Sequence, residues 1–230
     1  MSIIADGLEY ESQINGVILL RNVSNKNSRI NIPHMVDGMM VTAIGDRVFA
    51  DNERLVEIGI PKTVREIGNF AFTGCVNLRK VREINCVMLT KYRGLKIQKQ
   101  AFQGCNNLKS LELSSWIVLS GEQIFQRCHK LETIGVMGKN IVYGNVPKEC
   151  FQACLSLEKI TIEKPTCVIG SDAFDWCSSL KEITFKSHTV CSDDEKTWDS
   201  LRKCRIRCLN NSNLVDLGYD GFEIEVFEDK

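Results

Sequence analysis

The chain has few of the features that announce nucleic-acid binding, membrane insertion or motif-based catalysis. Lys plus Arg and Asp plus Glu both number 29 in 230 residues, so the formal net charge is zero. Nucleic-acid binding draws its affinity from a cationic excess, and that absence argues against a general polyanion-binding role. No apolar run approaches the roughly 18 residues of a membrane span. The N-terminus, from Met1 to Glu9, has neither a basic leader nor an apolar core of useful length. No secretory signal is therefore expected, and a cytoplasmic location follows as the expectation. A cell-surface location is the alternative, should a signal have been removed or export be non-classical. Histidine is scarce, with only His34, His129 and His188. There is no glycine-rich phosphate loop, no nucleophile elbow and no paired-histidine motif.

Cysteine, by contrast, is abundant. Eleven is a high and odd count, and without an export signal it does not read as a disulfide framework. Internal repeats explain it better. Aligned on Phe49, Phe72, Phe102, Phe125, Phe151 and Phe174, the units are spaced by 23, 30, 23, 26 and 23 residues. Six places after each phenylalanine stands leucine: Leu55, Leu78, Leu108, Leu131, Leu157 and Leu180. Nine places after stands an aliphatic residue, from Ile58 to Ile183. Eleven places after, only Glu83 interrupts an apolar column. Three places after each phenylalanine come Asn52 and then Cys75, Cys105, Cys128, Cys154 and Cys177. Five cysteines are thus one structural position, suited to a small buried thiol in a repeated tight turn. Cys150 falls in the small-residue column before the phenylalanine and is structural too.

A unit of about 23 residues cannot bury its own apolar face, so neighbours must stack and share a core. The Leu-x-x-Ile-x-Ile segment alternates with period two and predicts a strand in a parallel ladder. The Val-x-x-Ile-Gly segment predicts a second short strand, with a turn or single helical turn between them at Ala-Phe. The long step places an inserted loop at residues 86–93, and the 26-residue step adds about three residues near 138–144. The fold class expected is mainly β: a solenoid of about six stacked repeats with N- and C-terminal caps.

The segments Phe72-Thr-Gly-Cys75-Val-Asn-Leu78, Phe102-Gln-Gly-Cys105-Asn-Asn-Leu108 and Phe174-Asp-Trp-Cys177-Ser-Ser-Leu180 closely resemble the BspA-like class of leucine-rich repeats. The resemblance covers about residues 30–187. It implies an arc-shaped solenoid used for protein binding, often as a surface adhesin or host-interaction module.

Three regions are expected in one structural domain. Residues 1–40 form an N-terminal cap with a hairpin around Asn15-Gly16 and a second turn at Asp37-Gly38. Residues 41–187 carry the repeats. Residues 188–230 form a C-terminal cap, with a capping box at Ser192-Asp-Asp-Glu195 opening a short helix and strands at residues 205–209 and 222–227.

For function, the outward positions of the strand ladder are the most informative. Lys80 and Arg82, with flanking Arg79 and Lys109, make a basic cluster, followed by Glu112 and, on the later flank, Glu132 and Glu158. Mixed charge on one strip suits a protein partner. Trp116, Trp176 and Tyr143 fall at or outside the columns and would serve as interface anchors if exposed. The leading expectation is a non-catalytic, monomeric protein-interaction module, with no catalytic residues, cofactor or metal. An adhesin of the same fold is the alternative. A metal or thiol enzyme using Cys191, Cys204, Cys208 and His188 is a second alternative, although Cys204-x-x-x-Cys208 matches no strong zinc spacing. Asp193 and its neighbours read as helix N-terminal charge.

Overall fold

A computed structural model of the chain describes residues 2–22, 26–84, 94–113, 116–136, 140–192, 196–209, 212–213 and 223–228. The Leu-x-x-Ile-x-Ile segments are strands in parallel register. Arg29–Asn31, Glu57–Pro61, Lys80–Ile84, Ser110–Leu113 and Thr133–Val136 form one ladder. The second short strands, Met39–Ile44, Glu66–Ile67, Leu95–Ile97 and Ile117–Leu119, form another. Alternation dictates the burial. Ile58, Val81, Leu111 and Ile134 are sequestered, while Lys80, Arg82, Ser110 and Glu112 face outward. Where the apolar column breaks, Glu83 is held in place by Lys62 at 3.3 Å.

The Ala-Phe segment is a chain of turns, and the single helical turn does not form. Backbone φ is positive two residues before and two residues after each phenylalanine, from Arg47 and Asp51 to Asp172 and Trp176. This alternation aims the amides of residues −2, 0 and +2 at the next coil. At the first junction Arg47, Phe49 and Asp51 donate to the carbonyls of Asn69, Ala71 and Thr73 at 2.7–3.0 Å. The four later junctions, from Phe70 to Ala153, repeat the pattern. The segment is thus a third ladder, and it locks the phenylalanines in step. Their rings stack with centroids 5.0–5.5 Å apart and planes within 3–10° of parallel. Glycine at +2 occurs only at Gly74 and Gly104. The other units hold L-residues in the left-handed region, at about 1–2 kcal/mol each, which the ladder must offset.

Side chains reinforce this ladder. Gln100 donates to Gln123 at 2.6 Å, and Gln103 donates to Gln126. Gln126 donates to Gln152, and both Gln123 and Gln126 donate to the Glu149 carboxylate at 2.7 Å. Gln103, Gln126 and Gln152 share one register position, so this amide column is written in the repeat.

The two strand ladders do not run the length of the molecule. The extra residues of the 26-residue step lead into a strand, Ile141–Tyr143, that touches Ile117–Leu119 on one side and pairs with Lys159–Glu163 on the other. It therefore splices the second ladder of the N-terminal repeats onto the first ladder of the C-terminal ones. That ladder continues through Glu182–Lys186, Arg205–Leu209 and Glu223–Phe227. Thr133–Val136 is left without its expected neighbour. Asn140 fills the gap: its Nδ2 donates to the Glu132 and Lys159 carbonyls at 3.2 and 3.0 Å, and its Oδ1 accepts from the Ile134 amide at 2.8 Å. Gly135, at φ +98°, lets the strands meet, because a Cβ there would lie 2.3 Å from the Ile141 oxygen. Residues 137–139, within the expected extra segment, lie outside the described residues, as do the inserted loop at 86–93 and residues 193–195 of the capping box.

At the N-terminus the hairpin of Leu8–Gln13 and Gly16–Asn22 forms around Ile14 and Asn15. A further strand, Ser2–Ala5, joins it through Asp6-Gly7, both in the left-handed region. Gly16–Asn22 pairs in parallel with Met39–Ile44, so the sheet crosses residue 40 without a break. Met35–Val36 and Met39–Ile44 turn at Asp37-Gly38 as expected. A helix, Lys196–Leu201, replaces the Ala-Phe turn of the last coil and buries Trp198.

Replacing Phe102 with alanine removes a ring stacked on both sides, and urea denaturation should show a loss of about 3–5 kcal/mol. Asn140→Ala strands two carbonyls and an amide at the splice, and the same measurement should show a loss of about 1–3 kcal/mol.

Candidate functional site

The residues expected to carry function divide by position. Arg79, Lys109 and Glu132 occupy one exposed column on successive rungs, joined by Lys109 N–H donating to the Arg79 carbonyl and Glu132 N–H to the Lys109 carbonyl. Among the described residues none of these three side chains has an ion-pair partner. The others are engaged within the ladder. Lys80 pairs with Glu112 at 2.8 Å, and Arg82 with Glu57 at 2.5 Å while also donating to Asn31. The Lys80 ammonium holds the Glu112 carboxyl below its ordinary range. Glu158 pairs with Lys181 at 3.0 Å, and Lys159 with Glu182 at 3.5 Å. Pairs this exposed add little stability. Their effect is to cancel much of the basic cluster and to leave Arg79, Lys109 and Glu132 as open charges.

The splice brings two of the expected residues together. Glu132 and Glu158 line an open cleft of about 520 Å³ with Asn140, Ser156, Lys159 and Ser179. It exists because Asn140 spaces the rungs that would otherwise close. A second hollow of about 460 Å³, lined by Leu119, Asn145, Val146, Pro147 and Val168 among others, opens beside the same splice.

Two of the tryptophans are exposed. Trp116 is 61% accessible and stacks on Tyr143 at 5.4 Å. Trp176 is 74% accessible and holds a left-handed φ of 59°.

The thiols have a structural task. The Sγ of Cys75, Cys105, Cys128, Cys154 and Cys177 each donates to the phenylalanine carbonyl of the preceding coil, at 3.0–3.2 Å. The same carbonyls of Phe72, Phe102, Phe125 and Phe151 accept the backbone amide of their own unit's cysteine. The thiol is thus the fourth coil-to-coil contact of the arch. Asn52, in the first unit, accepts from the Arg54 and Leu55 amides. All ten cysteines among the described residues are unpaired. Burial pushes the thiols of Cys75 and Cys177 up to about 12. It raises Cys105, Cys128, Cys150 and Cys154 as well.

The four residues of the metal or thiol alternative do not converge. Cys204 and Cys208 are buried, and Cys204 donates to the Leu180 carbonyl; Cys191 and His188 are exposed. Among the described residues no group of three or more His, Cys, Asp or Glu is placed to hold a metal ion. No helix among them is long and apolar enough to cross a membrane.

Comparison with known proteins agrees with this geometry. A family profile described as the BspA type Leucine rich repeat region matches in six copies over residues 24–142 and 144–195. The crystal structure of a T. pallidum leucine-rich repeat protein superposes with a TM-score of 0.67 at 19% identity, covering 97% of this chain and 99% of that one. A leucine-rich repeat protein from Bacteroides capillosus gives 0.48 at 21% identity, covering 60% of this chain and 99% of that one. A leucine rich cell surface protein from Faecalibacterium prausnitzii gives 0.47 at 15% identity, covering 99% and 94%. No curated protein matches the chain.

The folded chain keeps buried thiol protons that an unfolded chain releases near pH 8.5. Stability from this source is intact below that pH and is lost as the pH climbs toward the folded values of about 12. Urea midpoints measured from about pH 8 to 11 should therefore fall steadily. A flat profile would contradict thiols that stay protonated in the fold.

Proposed function

The chain belongs to the BspA-type leucine-rich repeat family, and from that premise we propose that it is a non-catalytic module that binds a protein partner through the outward face of its strand ladder. The observation that carries this reading is the open column Arg79, Lys109 and Glu132, which runs into the cleft lined by Glu132 and Glu158. A stacked solenoid commits its inward residues to the core and its turns to coil registry. The outward strand positions are the ones left to vary without cost to the fold. Here the exposed residues that immediately precede those strands, Arg79, Lys109 and Glu132, present both signs of charge in fixed order, about 5 Å apart from rung to rung. Such an array selects a partner by complementary charge and rejects a mismatched one by repulsion.

Affinity capture with crosslinking would supply the partner. Arg79→Glu combined with Lys109→Glu should then weaken its binding by roughly tenfold or more, as measured by titration calorimetry, without lowering the urea midpoint. Unchanged affinity would sink the strand-face reading.

A further inference from the structure

The splice does more than interrupt the ladders: it sets an aromatic pair beside an open carboxylate. Tyr143 and Glu163 are register partners on adjacent parallel strands, so their side chains leave the same face about 5 Å apart. Trp116 stacks on Tyr143 from the other side, with ring planes 19° from parallel. Trp116, Tyr143 and Glu163 line one shallow surface notch of about 10 Å³ with Ile117 and Ile141, space for about one water. Among the described residues the Glu163 carboxylate has no ion-pair partner. Lys186 is its register neighbour on the side away from Tyr143, and Lys164 donates to Asn145. Lys96 stands one rung beyond Val118, the residue that pairs with Tyr143.

We propose that a lysine or arginine side chain presented by the protein partner rests across the surface of this notch. The inference rests on the strand-face reading and names an anchor within it. Aromatic faces carry negative charge density, and a cation over a tryptophan gains from it most. The Glu163 carboxylate, on the far flank of Tyr143 from Trp116, supplies the counter-charge. An exposed stacked pair is rigid before binding, so little side-chain entropy is lost on contact. Hot spots favour this kind of preformed aromatic anchor with a charged neighbour. An anionic or purely apolar group would meet Glu163 unfavourably.

The test uses the full chain and three short acetylated peptides with arginine, lysine or citrulline at the centre, citrulline being arginine's neutral isostere. The three tryptophans, Trp116, Trp176 and Trp198, are read separately by their indole N–H signals. The arginine and lysine peptides should shift the Trp116 signal saturably and leave Trp198 unmoved. The citrulline peptide should bind at least several-fold more weakly. Glu163→Gln and Trp116→Ala, both at accessible positions, should each weaken arginine-peptide binding by roughly three- to tenfold. Equal binding of citrulline and arginine peptides overturns the proposal, as does no shift at Trp116. A captured partner that still binds the Trp116→Ala and Glu163→Gln variants but is lost on reversal of Arg79 and Lys109 overturns the notch and leaves the strand-face reading standing. The opposite pattern overturns the open-charge column and keeps the notch.

Discussion

Everything in this molecule depends on the spacing between coils. Three backbone ladders set it at once, two of strands and one of alternating-handed turns, and each tolerates only the roughly 4.8 Å of a hydrogen-bonded rung. The phenylalanine column follows from that constraint. Rings attached at identical positions of coils so spaced must lie near-parallel with centroids close to the rung distance, and they do, at 5.0–5.5 Å. The offset stack is favourable in itself, but the turns impose it.

The same spacing explains the cysteines. A side chain three places after the phenylalanine must be small, tolerate full burial and reach a carbonyl one coil back. Serine would suit the hydrogen bond but would cost more to desolvate. A thiol suits both demands weakly, and five copies of it make a column whose groups burial keeps protonated. The cysteine count that looks like chemistry in composition is therefore part of the packing. The left-handed residues belong to the same logic. Phe70, Gln100 and Glu149 sit at positive φ because only that geometry turns their amides toward the next coil.

Where the spacing fails, surface features appear. The extra residues before Ile141 force one ladder onto another, and Asn140 substitutes its side-chain amide for a missing rung. The cleft at Glu132 and Glu158, the hollow at Pro147 and the Trp116–Tyr143 stack all cluster at this irregularity. A uniform array would present a uniform face; the splice gives this one a distinguishable place.

The repeat was legible from residues alone because it is written in columns. Phe49 to Phe174, Leu55 to Leu180 and the cysteines each occupy one register, and stacking gives a single physical meaning to such a register. The turn at Asp37-Gly38, the hairpin of Leu8–Gln13 and Gly16–Asn22, the repeat strands and the burial of the apolar positions all follow from local pattern. What the sequence could not decide depends on groups far apart in the chain. Lys80 and Arg82 read as open charges, but Glu112 and Glu57 on neighbouring rungs neutralise them. Trp116 and Tyr143, 27 positions apart, become one feature only because a three-residue surplus moves a strand between ladders. Periodicity determines what each coil must bury. The register between coils decides which of the remaining side chains meet, because that pairing is made across the rungs and not along the chain.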